Sequence, residues 1–326
     1  MRPDGFLRDI LAAPGRLEAC LDAYGGSSAL DDVADARRVV MIGMGSSRFA
    51  ALPAAALLRS RGVDAVAELA STGLPSLPSA DLVAIGISAS GSTPETVEAL
   101  ARHRGRSRTV AVTNDPDGEL AAVADVVLPL YAGTEEGGVA CLTFQATLAV
   151  LQLLAGAITG ARPGVDELRP SVGAAAALRD GRGAWLDELA ERLAPATVTH
   201  AIAPSERLSS ALQSALMLRE GPRLAADATE TGDWLHVDVY LSKRPGYTAL
   251  LFPGSRFDDA VMAYARERGS AIVAVGGDVE GAAQTVPVVG ADAPLVSLLV
   301  ETAVAELVAS ELWRRGVDAG DAALAG

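Results

Sequence analysis

Two short segments rich in glycine, serine and threonine are the clearest candidates for chemistry in this sequence. They read Gly43-Met-Gly-Ser-Ser47 and Ser88-Ala-Ser-Gly-Ser-Thr93, and each follows an apolar run. Glycines let a ligand approach the backbone, and hydroxyl groups together with the free N–H groups of a following helix form an anion site. Two such loops are harder to explain as simple turns than one, so the sequence predicts a phosphate site.

These loops differ from the common nucleotide-binding motifs. No Gly-Lys-Ser/Thr follows either loop, and Arg48 stands where a dinucleotide fingerprint would need its third glycine. The corresponding turns of the second half, Ala203-Pro-Ser-Glu206 and Pro253-Gly-Ser-Arg256, are poor in hydroxyls. We therefore expect one phosphate site per chain, in the first half.

A carboxylate and an imidazole in the second half are the candidate pair for proton transfer, the commonest such combination in enzymes. Glu220 lies where an apolar helical pattern ends, and partial burial there would raise its pKa. His236 closes the segment Gly232-Asp-Trp-Leu-His236. The residues alone leave an alternative open, namely a solvated acid at a helix end and an ordinary surface or core histidine.

The elements that must position these residues occur twice along the chain, with corresponding elements roughly 155–165 positions apart. The first half predicts strands at 38–43, 81–88, 109–113 and 125–130, and helices at 49–61, 94–104 and 138–157. The second half predicts strands at 198–203, 247–252, 271–276 and 285–289, and helices at 207–219, 256–268 and 294–315. Short apolar runs that alternate with helices are typical of parallel sheets covered on both faces.

An internal duplication of this kind predicts an α/β protein of two domains. Residues 1–160 would hold an amphipathic N-terminal helix, at about 6–24, and the domain with the phosphate-binding loops. Residues 161–326 would hold a Pro/Gly linker at 161–164, a mostly helical segment at 166–192, and the domain with Glu220 and His236. The long closing helices at 138–157 and 294–315 have too many apolar positions for one buried face, so we expect a homodimer that buries part of them.

Composition narrows the functional classes. Of 326 residues, 50% are hydrophobic, and 27 basic against 41 acidic side chains give a net charge of −14. Such a surface repels nucleic acid and anionic membranes. Cys20 and Cys141 have no metal-ligand spacing and are too few for a disulfide framework. No uninterrupted apolar run reaches about 18 residues, and charges interrupt the N-terminus. We therefore expect a cytoplasmic protein with a small-molecule partner and without metal, cofactor, nucleic-acid or membrane binding.

At this point several segments together resemble the double SIS (sugar isomerase) domain family. They are Gly43–Ser47, Ile87–Thr93, Thr113-Asn-Asp-Pro116, Gly133-Thr-Glu135 and Ala211–Glu220, in the order and spacing of that family. The pattern is similar to the isomerase half of glucosamine-6-phosphate synthase and to stand-alone phosphosugar isomerases and deaminases. It covers residues from about 35 to 318. The resemblance implies two tandem flavodoxin-like, three-layer α/β/α SIS domains with parallel sheets.

The resemblance also implies a role for individual residues. Glu220 would move a proton between C1 and C2 of the sugar, and His236, sixteen positions later, would assist ring opening, often across a dimer interface. The implied phosphosugar-binding residues are Gly45, Ser46, Ser47, Ser88, Ala89, Ser90, Thr93 and Val139.

The sequence departs from the family pattern at four places. No glutaminase domain precedes the SIS pair, so glutamine would not supply ammonia. The usual Gly-Val-Ala-Ser-Thr-Lys segment is Gly138-Val-Ala-Cys-Leu-Thr143, and the usual Gly-Arg-Gly turn is Ala203-Pro-Ser205. After Trp313 the sequence does not match Pro-Arg-x-Leu-x-Lys, whose lysine acts on the sugar carbonyl in the family. Imine chemistry at C2 would rely on that lysine.

Three functional hypotheses follow. The first is an isomerase or deaminase acting on a hexose or hexosamine 6-phosphate with Glu220 as the base at C2. The second uses the same base to eliminate water from an N-acetylated amino-sugar 6-phosphate. The third is a phosphosugar sensor without catalysis, against which the Glu220 and His236 pair argues.

Overall fold

The computed structural model describes residues 1–33, 36–161 and 163–318. Part of the predicted linker lies outside these residues, and so does the end of the predicted second domain at 319–326. Most of the sequence after Trp313 that departs from the family pattern also lies outside them. Within the described residues, ten strands form two five-stranded parallel sheets with helices around them. The predicted α/β fold with two parallel sheets is confirmed.

The first sheet has the strand order β2-β1-β3-β4-β5. Its strands are β1 (Arg38–Gly43), β2 (Asp64–Leu69), β3 (Leu82–Ile87), β4 (Arg108–Thr113) and β5 (Val126–Pro129). The helices of this half are α1 (Pro3–Tyr24), α2 (Gly45–Ser60), α3 (Pro94–Ala101), α4 (Glu119–Ala122) and α5 (Leu142–Thr159), with a 3-10 turn at Asp31–Val33. Every residue of β3 is buried, as expected for a central strand covered on both faces.

The second sheet has the order β10-β9-β8-β6-β7, which is the same arrangement counted from the other edge. Its strands are β6 (Val198–Ala203), β7 (Ala226–Glu230), β8 (Tyr247–Leu251), β9 (Ala271–Val275) and β10 (Gln284–Val286). The helices are α6 (Val165–Leu168), α7 (Pro170–Asp180), α8 (Leu186–Leu193), α9 (Leu208–Glu220), α10 (Thr231–Trp234), α11 (Asp258–Arg268), α12 (Pro294–Val300) and α13 (Thr302–Asp318). Short 3-10 helices lie at Gly181–Ala184, Ser205–Arg207 and Asp238–Lys243.

The chain divides into two compact units whose boundaries differ from the predicted cut at residue 160. The first-sheet unit is Gly15–Thr134 with Leu142–Arg169, and the second-sheet unit is Met1–Pro14 with Glu135–Cys141 and the chain from Pro170 onward. Two hydrogen bonds explain why the N-terminal residues join the second-sheet unit. Arg179 donates from Nε to the carbonyl of Ile10 at 2.5 Å, and the N–H of Gly137 donates to Asp9 at 2.7 Å.

The two closing helices are buried within the chain. Helix α5 has the length and mean hydropathy (1.6) of a membrane-spanning helix, yet 89% of it is buried inside the described structure, as in the core helix of a globular protein. Residues 302–310 of α13 are buried as well. The expectation that these helices leave apolar surface for a dimer is therefore wrong, and the homodimer stays a prediction without that support.

Candidate functional site

The two hydroxyl-rich loops follow neighbouring strands at the point where the order of the first sheet reverses. Gly43, the last residue of β1, is in register with Ile87, the last residue of β3. From these two strands the chain continues to opposite edges of the sheet, toward β2 and toward β4. Crevices at such switch points, beyond the carboxyl ends of the strands, are where ligands bind in open parallel sheets. The structure thus brings both loops to one edge.

The second loop holds its hydroxyls close together. The Ser88 Oγ atom lies 2.9 Å from Thr93 Oγ1 and 3.4 Å from Ser90 Oγ. Ser88 is buried, Thr93 is half-buried and Ser90 is exposed. Because a hydroxyl both donates and accepts, this cluster has protons to offer an anion after its internal bonds are made.

Gly91 allows the tight turn in this loop. Its φ is +67°, and an added Cβ would lie 3.0 Å from Thr113 Oγ1 and 3.2 Å from Asp115. A side chain would therefore be strained in conformation and crowded by the end of β4. The Gly91 carbonyl also accepts the N–H of Leu120 at 2.8 Å, which fixes the loop against α4.

The first loop leads directly into α2. Gly45 is the first helical residue, with φ +48°, and Met44 before it provides no side-chain cap. Ser46 and Ser47 lie in the first turn and are half-buried. Uncapped N–H groups at the start of this 16-residue helix carry partial positive charge, which favours an anion near the two serines.

Two residues of this edge were not predicted from the sequence to have a role there. The carboxamide of Asn114 accepts the N–H of Ala132 at 3.0 Å and donates to the carbonyl of Gly133 at 2.7 Å, so it joins the ends of β4 and β5. Arg48, one residue after the serines, is half-buried, and in the described part of the chain its buried Nε has no hydrogen-bond partner. The sequence offered one signal for each residue. Asn114 lies in the Thr113-Asn-Asp-Pro116 segment, and Arg48 directly follows Ser47.

Glu220 is the last residue of α9 and is half-buried. Burial raises the pKa of its carboxyl group, while the nearby Arg223 and Arg219 guanidinium groups lower it. Both arginines also donate to backbone carbonyls, Arg223 to that of Glu220 itself and Arg219 to that of Ala226. The net upward direction agrees with the environment predicted for this residue and suits a carboxylate base.

His236 follows α10 and is exposed. The other two histidines, His103 and His200, are buried, and burial lowers the pKa of each. His200 stacks on Tyr247 at 5.4 Å between ring centroids, inside the second-sheet unit. His236 is therefore the histidine that a solute can reach. In the described residues, the side chains of Glu220 and His236 are not hydrogen-bonded to each other.

Val139 is buried in the segment Glu135–Cys141, which belongs to the second-sheet unit. Arg2 donates to the carbonyl of Glu136 in this segment at 3.2 Å, and three further side chains also hold its backbone. Asp9 accepts the N–H of Gly137, Glu135 Oε1 accepts the N–H of Cys141 at 2.7 Å, and Gln213 Nε2 donates to the carbonyl of Ala140 at 2.8 Å. Sequence reasoning missed all three contacts.

Other features of the described residues do not coincide with these loops. A cavity of about 590 Å³ is lined by residues from 24–31, 153–161 and 163–169 in the first-sheet unit and includes none of the predicted site residues. In the described part of the chain no three His, Cys, Asp or Glu side chains form a group that could hold a metal ion.

Comparison with known proteins identifies the first half. The SIS domain family model matches residues 32–157, which contain both hydroxyl-rich loops. Residues 32–157 of this chain are a SIS domain. The chain's two parallel sheets of equal strand order have the fold of two tandem SIS domains, as the resemblance implied.

Two curated relatives are similar to parts of this chain. A glutamine–fructose-6-phosphate aminotransferase (isomerizing) of Pyrobaculum aerophilum is 32% identical over 216 residues, which are 63% of this chain and 36% of that protein. An N-acetylmuramic acid 6-phosphate etherase of Symbiobacterium thermophilum is 56% identical over 55 residues, 16% of this chain and 18% of that enzyme. The chain thus spans about a third of the length of the aminotransferase.

A solved structure shows the same fold over nearly the whole chain. The tagatose-6-phosphate ketose/aldose isomerase of Escherichia coli superposes with a TM-score of 0.81, over 97% of this chain and 93% of that one, at 16% sequence identity. At this identity the likeness concerns the fold alone. The sequence likeness to the two curated relatives covers parts of the chain, and the likeness of fold covers nearly all of it.

Proposed function

We propose that this chain is an enzyme that acts on a hexose or hexosamine 6-phosphate by removing the proton at C2, as an aldose–ketose isomerase or a deaminase. One observation carries the proposal, the gathering of both hydroxyl-rich loops at the switch point of the first sheet. Ser46, Ser47, Ser88, Ser90 and Thr93, with the backbone at Gly45 and Ala89, take the phosphate in this proposal. Val139 is itself buried, so in this proposal it shapes the sugar site from behind its surface.

In the proposed reaction, His236 assists opening of the sugar ring and Glu220 acts on the open-chain aldehyde. The Glu220 carboxylate takes the proton from C2, the C–H electron pair forms a C1=C2 double bond, and the carbonyl oxygen is protonated. Return of the proton to C1, with conversion of the C2 hydroxyl to a carbonyl, gives the ketose. With an amine at C2, the resulting imine is hydrolysed and ammonia leaves.

The raised pKa of Glu220 supports this role because a base works best when its pKa is near the working pH. The exposure of His236 supports its contact with substrate. Neither residue needs the lysine that the family uses at the carbonyl.

Elimination is the second candidate. Here Glu220 takes the same proton, the electron pair forms a C2=C3 double bond, and the C3 hydroxyl leaves as water after gaining a proton. The relative named as an N-acetylmuramic acid 6-phosphate etherase favours this candidate, since that name describes an N-acetylated sugar 6-phosphate.

A panel of hexose, hexosamine and N-acetylhexosamine 6-phosphates, incubated with the protein in deuterated water and followed by mass spectrometry, tests the proposal. Isomerisation incorporates deuterium at carbon, deamination replaces ammonia by water, and elimination removes water. Binding of a phosphosugar without exchange or change of mass would instead identify a sensor and overturn the proposal.

A further inference from the structure

Gln213 occupies an unusual place on the helix that carries the proposed base. It lies in α9, seven residues before Glu220, and is completely buried. Seven residues are two helical turns, so Gln213 and Glu220 share one face of the helix. Met217 lies between them on that face, and its Sδ atom is 3.7 Å from Gln213 Nε2.

The polar contact of Gln213 reaches the segment that contains Val139. Gln213 Nε2 donates to the carbonyl of Ala140 at 2.8 Å, across 73 residues of sequence. In the described part of the chain, Gln213 Oε1 has no hydrogen-bond partner although it is buried. An unsatisfied buried acceptor costs free energy, and a leucine would fill the same volume without that cost. The hydrogen bond that the amide donates to Ala140 therefore offsets part of the cost of burying it.

We propose that Gln213 is a positioning residue of the proposed phosphosugar site, which holds the Val139–Cys141 backbone in register with the helix that ends at Glu220. This inference rests on the proposed function. After loss of the Gln213 bond, the segment keeps the hydrogen bond that Arg2 donates to the carbonyl of Glu136 and those that Asp9 and Glu135 accept from Gly137 and Cys141. The segment then samples more conformations, so the affinity for substrate should fall more than the rate of the chemical step.

The first test needs no activity. Hydrogen–deuterium exchange followed by mass spectrometry reports the protection of the Gly137 and Cys141 amides, which are both hydrogen-bonded in the structure. Exchange in Q213L should be at least about tenfold faster than in the wild-type chain. The matched control is S214A, because Ser214 is the next residue, is equally buried and also has an unpartnered side-chain oxygen. Unchanged exchange in Q213L would overturn the inference.

The second test uses turnover, or deuterium exchange at C2, with the sugar phosphate that the panel selects. In Q213L, KM should rise about five- to tenfold with a smaller change in kcat, since one neutral hydrogen bond is lost. Q213E supplies a rescue, because a protonated carboxyl group donates to the Ala140 carbonyl and an ionised one repels it. The ratio of the Q213E to the wild-type KM should therefore be near one at low pH and rise with pH.

The two proposals fail in different ways. A wild-type chain that binds no phosphosugar and exchanges no proton removes the proposed function, while the amide-exchange result stands by itself. The role of Gln213 alone is excluded if the wild-type chain is active, Q213L has an unchanged KM, and the ratio of the Q213E to the wild-type KM does not vary with pH.

Discussion

The hydroxyl of Ser88 lies 2.9 Å from the hydroxyl of Thr93, across the turn that Gly91 allows after β3. One of the two donates to the other, so at least one hydroxyl proton remains available for a ligand. Ser88 is 1% exposed, and its position is fixed by the N–H that it donates to the carbonyl of Val112 at 3.1 Å. In the proposed phosphate site, this pair of residues would be a preformed hydrogen-bond donor in the loop after β3.

Replacement of Ser88 and Ser90 together by alanine should weaken binding of the sugar phosphate at least tenfold. Each hydrogen bond to a charged group contributes about 1.5–3 kcal/mol, and the double variant removes two donors. Isothermal titration calorimetry with the phosphosugar measures the loss. The control is S92A, which removes a hydroxyl of the same loop outside the predicted set. Equal affinity of the double variant and the wild-type chain would mean that the loop is only a turn.

Arg48 should add a long-range attraction for the same phosphate. It follows Ser47 in the first turn of α2, and its buried Nε has no partner in the described residues. R48Q should raise the Kd for the phosphosugar by about three- to tenfold at low salt, with less effect at high salt because ions screen the charge. The exposed Arg61, past the other end of α2, provides the control variant R61Q. Identical salt dependence of R48Q and the wild-type chain would exclude this contribution.

The central strands were predictable because burial on both faces leaves a strong apolar signal. The predicted bounds of β1 and β6 match the structure at both ends. The strands β2 and β7 were missed, and both are edge strands with alternating or weak burial. Edge strands are covered on fewer sides, so their sequences tolerate polar residues such as Asp64 and Glu230.

The hydroxyl-rich loops were predictable for a related reason. Their residue types and the ends of the strongly apolar strands before them are both local features of the sequence. The contacts of Gln213 with Ala140 and of Asn114 with Gly133 join residues that are distant in sequence. No local periodicity encodes such pairs, because they depend on how separate elements pack. The same limit explains why the sequence did not place Met1–Pro14 in the compact unit of the second sheet.

Glu306 should make the stability of the protein depend on pH. It is buried, and burial raises its pKa from 4.5 to about 7, against the attraction of Arg179 and with added repulsion from Glu135. Because the pKa of Glu306 is higher in the folded state than in the unfolded state, proton binding by Glu306 stabilises the fold. This contribution is fully present below pH 4.5 and is lost as pH rises through 7. At about 1.4 kcal/mol per pKa unit, the free energy of unfolding should fall by roughly 3 kcal/mol over this interval.

Urea denaturation at several pH values between 4.5 and 8 tests this dependence on Glu306. E306Q keeps the shape of the protonated side chain and cannot ionise, so its free energy of unfolding should change less with pH than that of the wild-type chain. E191Q, at an exposed position, controls for the general effect of removing one negative charge. Parallel pH profiles for E306Q and the wild-type chain would contradict the prediction.

The homodimer can be tested together with the role of His236. Sedimentation at several concentrations gives the mass, which should be that of two chains. If His236 acts in the site of the partner subunit, a mixture of E220Q and H236A should recover activity, because one site of each mixed dimer keeps both residues. The separate variants should each remain inactive. If the mixture is as inactive as its components, or if the mass is that of one chain at all concentrations, His236 does not act in the site of a partner subunit.

The strongest prediction concerns Glu220, because isomerisation, deamination and elimination all begin with the proton at C2. The carboxyl group is half-buried at the end of α9, where burial raises its pKa. E220Q keeps the size and hydrogen-bonding capacity of the side chain and removes the base. It should lower turnover at least about a hundredfold and leave the Kd for the phosphosugar nearly unchanged.

Exchange of the C2 hydrogen with deuterated water measures the proton step of Glu220 directly, even when no product accumulates. The matched control is E206Q, which removes an exposed carboxylate shortly before the same helix. A general loss of negative charge would affect both variants alike, whereas loss of the base affects E220Q alone. Because the amide cannot accept a proton from carbon, exchange should be abolished in E220Q while the phosphate still binds at the hydroxyl-rich loops. Exchange by E220Q at the wild-type rate would place the base elsewhere, and the proposed mechanism would then be wrong.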